Sequence, residues 1–174
     1  MSLQNLDKAK LKLILKTSEV FPTQFAPSQA KIVNGVFNPS RSGHPLGSHL
    51  RGAGRTVKKT KFCTLDDMAE ALDLLLRTPD GVTALAQLQP GVRKTVNTSI
   101  HRLFDIEGEV DLSPFQKVKF TRSDLARAGF SSMRCTAVLE ARARGSELYL
   151  HVQTFFPEFT PPELIQLLDA KTRP

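Results

Sequence analysis

The 174-residue sequence has no tryptophan, one tyrosine and two cysteines. These low counts argue against a base-stacking surface, a disulfide and a zinc site. A surface that stacks nucleobases needs exposed aromatic rings, whereas the eleven phenylalanines are mostly spaced like core residues. Cys63 and Cys135 lie in apolar surroundings, which predicts buried thiols and not a disulfide. Two cysteines and four scattered histidines do not make a CxxC-type zinc site, so we expect no metal and no cofactor.

Long apolar runs and nucleotide-binding loops are missing as well. No apolar stretch approaches the roughly 20 residues that a membrane span needs. The apolar residues 11–15 are interrupted by Lys12 and followed by Lys16, unlike a signal peptide. We therefore expect a soluble domain that leaves its cell only with a larger carrier. Neither a GxxxxGK[ST] loop nor a GxGxxG fingerprint occurs, which disfavours nucleotide-dependent chemistry.

Positive charge is abundant and unevenly placed. Lysine and arginine total 24 against 17 acidic residues, a net charge of +7. Residues 41–61, the basic segment, contain six lysines and arginines and no acid. Such a segment attracts phosphates, which favours a polyanionic partner, RNA first. The alternative is a solvated loop on a protein that is basic throughout.

The periodicity of apolar residues predicts helices before strands. Residues 2–20 fit either a helix or a strand. Thr64 begins a helix whose apolar positions recur to Leu76, and a second helix covers 82–88. Strands follow over 95–100, 101–112 and 116–121, then a helical turn over 125–128. A hairpin pairs 133–143 with 147–156, and Pro161 opens a terminal helix.

This order predicts an α+β domain in which N-terminal helices precede a twisted antiparallel sheet. Residues 1–42 read as a leading element and linker, because the stretch 21–42 is rich in proline and polar residues. Residues 43–174 read as the basic domain proper. We expect a single globular domain overall.

The stretch GHPLGSHLRGAGRTVKK, residues 43–59, holds the residue types that cut RNA without a metal. A base must remove the 2′-hydroxyl proton, and cations must hold the phosphate as its charge grows. Histidine titrates near neutrality and suits the first role. The arginine fork grips two phosphate oxygens and suits the second.

Three short motifs in order strengthen this interpretation: GHPLGSHL, then CTLDDMAEA (63–71), then LYLHVQTFFPE (148–158). Together they resemble the ribonuclease-A-like C-terminal toxin domains of bacterial contact-dependent growth inhibition systems. The resemblance covers residues 43–158, two thirds of the chain. It implies a compact ribonuclease-like fold, kidney-shaped or similar to barnase and EndoU.

The resemblance also implies roles for individual residues. His49 would be the acid/base residue with His44 as its partner or a positioning residue, Arg55 the phosphate clamp and Thr154 a hydroxyl donor. Arg51 is equally eligible as the clamp, because the spacing after the second histidine is short. Phe156 stands where the family has tyrosine. The residues expected to bind substrate are Arg51, Lys58, Lys59, Lys61 and Phe156.

Other polar residues receive structural interpretations. His151 lies three residues from Thr154 on one strand, so we expect it on the opposite face. His101 is expected to open a strand. Asp105, Glu107 and Glu109 form an acidic row, which we interpret as an exposed sheet face, with cation binding as the alternative.

The resemblance implies a metal-independent RNA endonuclease that makes a 2′,3′-cyclic phosphate. Such a toxin is secreted within a larger carrier, acts in the target-cell cytoplasm and is neutralised by a dedicated immunity protein, which we expect to be acidic. It would be a monomer apart from that complex. The alternatives are a non-catalytic nucleic-acid-binding module or inactive relative, and a basic interaction or immunity protein.

Overall fold

The computed structural model describes residues 6–17, 32–33, 36–37, 50, 60–113, 116–144 and 147–172. Within these ranges the helices are α1 Lys8–Thr17, α2 Leu65–Leu76, α3 Pro79–Ala86, α4 Arg122–Arg127 and α5 Pro161–Thr172. The strands are β1 Ile32–Val33, β2 Val36–Phe37, β3 Lys61–Phe62, β4 Arg93–Ile100, β5 Ile106–Ser113, β6 Gln116–Thr121, β7 Met133–Arg144 and β8 Glu147–Pro157. The predicted α+β class is confirmed.

Helix α1 resolves the ambiguity at the start of the chain. Leu11 and Leu15, one helical turn apart, are both fully buried in the core. On the solvent side Lys12 reaches Asp66 at the start of α2, with Nζ 2.5 Å from the carboxylate. The leading segment therefore contributes a helix to the same core as the rest of the chain.

Helix α2 begins where its cap was predicted. Thr64 has extended backbone geometry, and its hydroxyl accepts a hydrogen bond from the Asp67 amide at 3.1 Å. Helix α3, predicted over 82–88, begins earlier because Thr78 caps it and Pro79 occupies its first turn. Gly81 is needed there, since a Cβ would lie 2.3 Å from a backbone oxygen of α2.

The strands form two three-stranded antiparallel sheets, where the sequence suggested one. Their orders are β3-β5-β6 and β4-β7-β8, and β1 pairs only with β2. The strand predicted from residue 101 begins at Ile106, and His101 follows the end of β4 and does not open a strand. The hairpin β7–β8 and strand β6 lie where they were predicted.

A single hydrophobic core joins the helices and both sheets. The rings of Phe62 in β3 and Phe155 in β8 stack with centroids 5.2 Å apart, so the two sheets meet there. Cys135 is buried as predicted, whereas the prediction that Cys63 is buried is wrong, since its side chain is partly exposed; no disulfide joins the two. Among the described residues, no helix is long and apolar enough to cross a membrane.

Candidate functional site

The sheet β4-β7-β8 has one apolar side and one polar side. Alternate residues of β7, such as Cys135, Ala137 and Leu139, are buried in the core. The register places polar residues on the other side, which we call the polar face. Its residues are Arg93, Thr95, Asn97 and Ser99 of β4, Arg134, Thr136, Val138, Glu140 and Arg142 of β7, and His151, Thr154 and Phe156 of β8.

A β-bulge in β8 decides what this face carries. Val138 pairs with Thr154, whereas Leu139 pairs with Val152, so Gln153 is an extra residue without a partner in the register. The bulge shifts the alternation by one position. His151 and Thr154 therefore point to the same face, and the expectation that they face opposite sides is wrong. His151 is buried, with 3% of its surface exposed.

Thr154 occupies the middle row of the polar face, opposite Val138. Its hydroxyl oxygen is buried and has no hydrogen-bond partner among the described residues. Leaving a buried hydroxyl unsatisfied costs roughly 1–3 kcal/mol, and such groups in native proteins call for an explanation. The donor capacity of this hydroxyl is therefore unused within the described part of the chain.

One row from Thr154, Glu140 holds two arginines. Its carboxylate accepts from Arg93 Nε at 2.5 Å and from an Arg142 terminal nitrogen at 3.0 Å. Burial by itself raises the pKa of Glu140, but the hydrogen bonds from the two arginines outweigh it and lower the pKa below its usual value. His151 pairs with Glu140 across the strands, and its Nε2 lies 3.3 Å from Gln153 Oε1. The Glu140 carboxylate is therefore held between two guanidinium groups.

On the other side of Thr154, a second hydrogen-bond network joins β4, β7 and the residue that follows β8. Asn97 donates through Nδ2 to Thr136 Oγ1 and to Glu158 Oε2, both at 2.6 Å. Arg134 donates to Asn97 Oδ1 at 3.1 Å, and the Thr136 hydroxyl also donates to Glu158. The Glu158 amide donates to the Arg134 carbonyl at 2.9 Å, which extends the β7–β8 ladder by one residue.

Most of the residues predicted for the site fall in the basic segment. His44, His49, Arg51, Arg55, Lys58 and Lys59 lie outside the described residues. Thr154 and Phe156 come together on the polar face. Lys61 does not join them, because it lies in β3 of the other sheet, opposite Glu107.

Leu50 is the one residue between 41 and 59 that the structure describes, and it is buried in the core. It forms an isolated parallel bridge with Phe62, whose ring stacks on Phe155. In the sequence Leu50 stands between His49 and Arg51, and Phe155 follows Thr154. The bridge and the ring stack therefore connect Leu50 to the strand of Thr154.

The predicted acidic row is only partly an exposed sheet face, because Asp105 precedes β5 and Glu109 is half-buried, whereas Glu107 is exposed. On β5, Glu107 lies opposite Lys61, and Glu109 lies opposite Lys119 of β6. Asp105 precedes the strand and lies 3.7 Å from Arg122. Within the described ranges, no group of three or more His, Cys, Asp or Glu side chains has the arrangement of a metal site.

The sequence reasoning missed His151, Glu140 and Glu158 as neighbours of Thr154. A signal was present in LYLHVQTFFP, where the buried residues change from positions 150 and 152 to 155 and 157. That change of phase marks the bulge. Comparison with known proteins finds no matching family model, no matching curated protein and no matching solved structure.

Proposed function

We propose that this chain is a metal-independent RNA endonuclease, a toxin domain of the contact-dependent growth inhibition kind. The observation that carries the proposal is the buried Thr154 hydroxyl, which has no partner among the described residues. The contacts from Leu50 through Phe62 to Phe155 support it, since Leu50 directly follows His49 in the sequence. The net charge of +7 and the three ordered motifs agree with an RNA substrate.

The proposed reaction is an in-line transfer within the RNA chain. His49 removes the proton of the 2′-hydroxyl, and the 2′-oxygen bonds to the adjacent phosphorus. The bond from phosphorus to the 5′-oxygen breaks, and that oxygen receives a proton from the partner histidine, His44. The products are a 2′,3′-cyclic phosphate and a 5′-hydroxyl end. Arg55 neutralises the phosphate oxygens as the charge grows.

Thr154 has an electrostatic role in this reaction. Its hydroxyl donates to a phosphate oxygen, or to the leaving oxygen, when the phosphorus is five-coordinate. A donor aimed at charge that develops only in the transition state contributes about 10²–10³ in rate. Because Phe156 supplies no phenolic hydroxyl, Thr154 carries more of this role than it would beside a tyrosine.

The proposed basic RNA-binding site also defines the proposed partner. An immunity protein that blocks this site must present acidic residues, since charge complementarity sets the speed and specificity of such complexes. The carrier that takes the domain into the target-cell cytoplasm would be a larger protein.

The test is incubation of the purified protein with total bacterial RNA in EDTA. We expect wild type to cleave, and the His49→Ala, Arg55→Ala and Thr154→Val variants to lose activity. Matched controls are His101→Ala, which changes an exposed histidine after β4, and Thr83→Val, which changes an exposed threonine in α3. Both controls should cleave like wild type.

Two results would contradict the proposal. If the RNA stays intact at high protein concentration, the chain is not an active endonuclease, and the alternatives are a nucleic-acid-binding module or an inactive relative. Cleavage that survives in His49→Ala would place the reaction elsewhere. Detection of cyclic phosphate ends distinguishes the proposed chemistry from hydrolysis that leaves a 5′-phosphate.

A further inference from the structure

The network of Asn97, Arg134, Thr136 and Glu158 has unused hydrogen-bonding capacity on both of its charged members. Among the described residues, Arg134 donates a side-chain hydrogen bond from one terminal nitrogen alone, and its buried Nε has no partner. Glu158 accepts both side-chain hydrogen bonds on Oε2, and Oε1 accepts none from the part of the chain that the structure describes. The Arg134 guanidinium and the Glu158 carboxylate can therefore form further hydrogen bonds with a ligand.

The arrangement is unusual for a pair that serves only stability. An arginine and a carboxylate within reach of each other normally form a direct, often two-pronged, ion pair. Here the carboxamide of Asn97 stands between them, because its oxygen accepts from Arg134 and its nitrogen donates to Glu158. The amide therefore holds a donor group and an acceptor group side by side at a fixed separation.

The location of the network relates it to Thr154. Asn97 and Thr136 are directly paired across the strands, and Thr136 pairs with Phe156. Val138 and Thr154 form the next row. Arg134 and Glu158 pair in the row beyond Thr136, two rows from Thr154, and their side chains reach back to Asn97 and Thr136. Neighbouring rows lie two residues apart along a strand, about 7 Å, so the ends of these side chains lie about one row from Thr154, a separation that one nucleotide can span.

We infer that Arg134 and Glu158, held apart by Asn97, form a subsite that recognises a guanine base. The inference rests on the proposed function and names its substrate preference. Single-stranded RNA is read on the Watson–Crick edges of its bases. Guanine offers two adjacent N–H donors, which suit a carboxylate, beside one carbonyl acceptor, which suits a guanidinium. No other RNA base presents two donors next to an acceptor on that edge.

The subsite also predicts where cleavage falls. If the phosphate held beside Thr154 is the 3′-phosphate of the bound guanosine, that nucleotide supplies the attacking 2′-hydroxyl. Cleavage should then follow guanine residues in single-stranded RNA. Thr136 is a positioning residue in this scheme, because its hydroxyl fixes Glu158 and does not itself reach the base.

The first test is a calorimetric titration of wild type with the four nucleoside 3′-monophosphates. We expect 3′-GMP to bind roughly 10- to 100-fold more tightly than the other three, as one two-pronged base contact allows. In Glu158→Gln this preference should disappear, since the amide presents a donor where guanine has donors. Glu109→Gln, on the outer face of the other sheet, should keep it.

Equal binding of all four nucleotides by folded wild type, or binding of none, would overturn the inference. The wild-type comparison decides this even if Glu158→Gln does not fold. Mapping of RNA cleavage ends separates the two proposals: cleavage without a guanine preference refutes the subsite alone. A preference for 3′-GMP without any RNA cleavage would refute the endonuclease and retain the subsite.

Discussion

Replacement of Thr154 by valine separates the functional role of its hydroxyl from a structural one. Valine has nearly the same shape as threonine and exchanges the hydroxyl for a methyl group. The Thr154 hydroxyl is buried and makes no hydrogen bond to the described part of the chain, so the substitution removes a polar group that is unsatisfied there. Such a group costs roughly 1–3 kcal/mol. We therefore expect Thr154→Val to raise the free energy of unfolding by about 1 kcal/mol, which corresponds to a rise in Tm of about 2–4 °C.

Thr136→Val is the matched control for stability. Thr136 lies one row away on the same face, with 8% of its surface exposed, and its hydroxyl bonds to both Asn97 and Glu158. Valine at this position leaves those partners under-satisfied, so the free energy of unfolding should fall by roughly 1–3 kcal/mol. Urea and thermal unfolding of both variants in one buffer tests whether Thr154→Val raises the free energy of unfolding while Thr136→Val lowers it.

The RNA cleavage assay completes the comparison. We expect Thr154→Val to lose about 10²–10³ in rate while it gains stability, because the donor acts only in the transition state. An unchanged rate would show that Thr154 does not contribute to the reaction. A loss of stability would show that the hydroxyl has a partner after all, and the reasoning from its burial would be refuted.

Three further predictions concern the fold. Gly81→Ala should lower the free energy of unfolding in urea by more than about 2 kcal/mol, because its Cβ would lie 2.3 Å from a backbone oxygen; Gly91→Ala, in open space at a φ of +81°, should cost only about 1 kcal/mol. The lowered pKa of Glu140 stabilises the fold above the unfolded value of 4.5 and ceases to do so as pH falls through the folded value, so Glu140→Gln should flatten the loss of stability below pH 5. Burial raises the pKa of the Cys135 thiol, so a thiol reagent should label Cys63 first and Cys135 only on unfolding.

The features that the sequence predicts correctly are those fixed by neighbours along the chain. Thr64 caps α2 because its hydroxyl reaches an amide three residues away. The hairpin β7–β8 surrounds an Arg-Gly-Ser turn sequence, and the terminal helix begins at a proline pair. The same local chemistry explains the early start of α3, where the cap at Thr78 and the proline after it were overlooked.

The features that the sequence does not predict depend on distant contacts. The choice between one sheet and two is set by which strands meet: β3 pairs with β5, and β4 skips two strands to pair with β7. Alternation within a strand is the same in either arrangement. Residues 101–105 alternate as a strand would, yet Phe104 is buried outside any strand, in the connection before β5.

The candidate site also has one feature that sequence neighbours predict and others that depend on distant contacts. Thr154 was found from a motif, which is local information. Its neighbours come from the pairing of β8 with β7 and from the bulge at Gln153, which rotates His151 onto the polar face. The Asn97–Glu158 contact joins residues 61 positions apart. Neither the neighbours of Thr154 nor the Asn97–Glu158 contact could be predicted without the register of the sheet.

Leu50 explains how a basic, glycine-rich segment can serve a site built on a rigid sheet. A segment that carries six cations gains nothing from the hydrophobic effect unless an apolar residue fixes it to the core. Leu50 is buried against Phe62, and Phe62 stacks on the residue that follows Thr154. The side chains on either side of Leu50 in the sequence, His49 and Arg51, are those that a phosphate-binding role requires. Leu50 is therefore a described point of contact between the basic segment and the core.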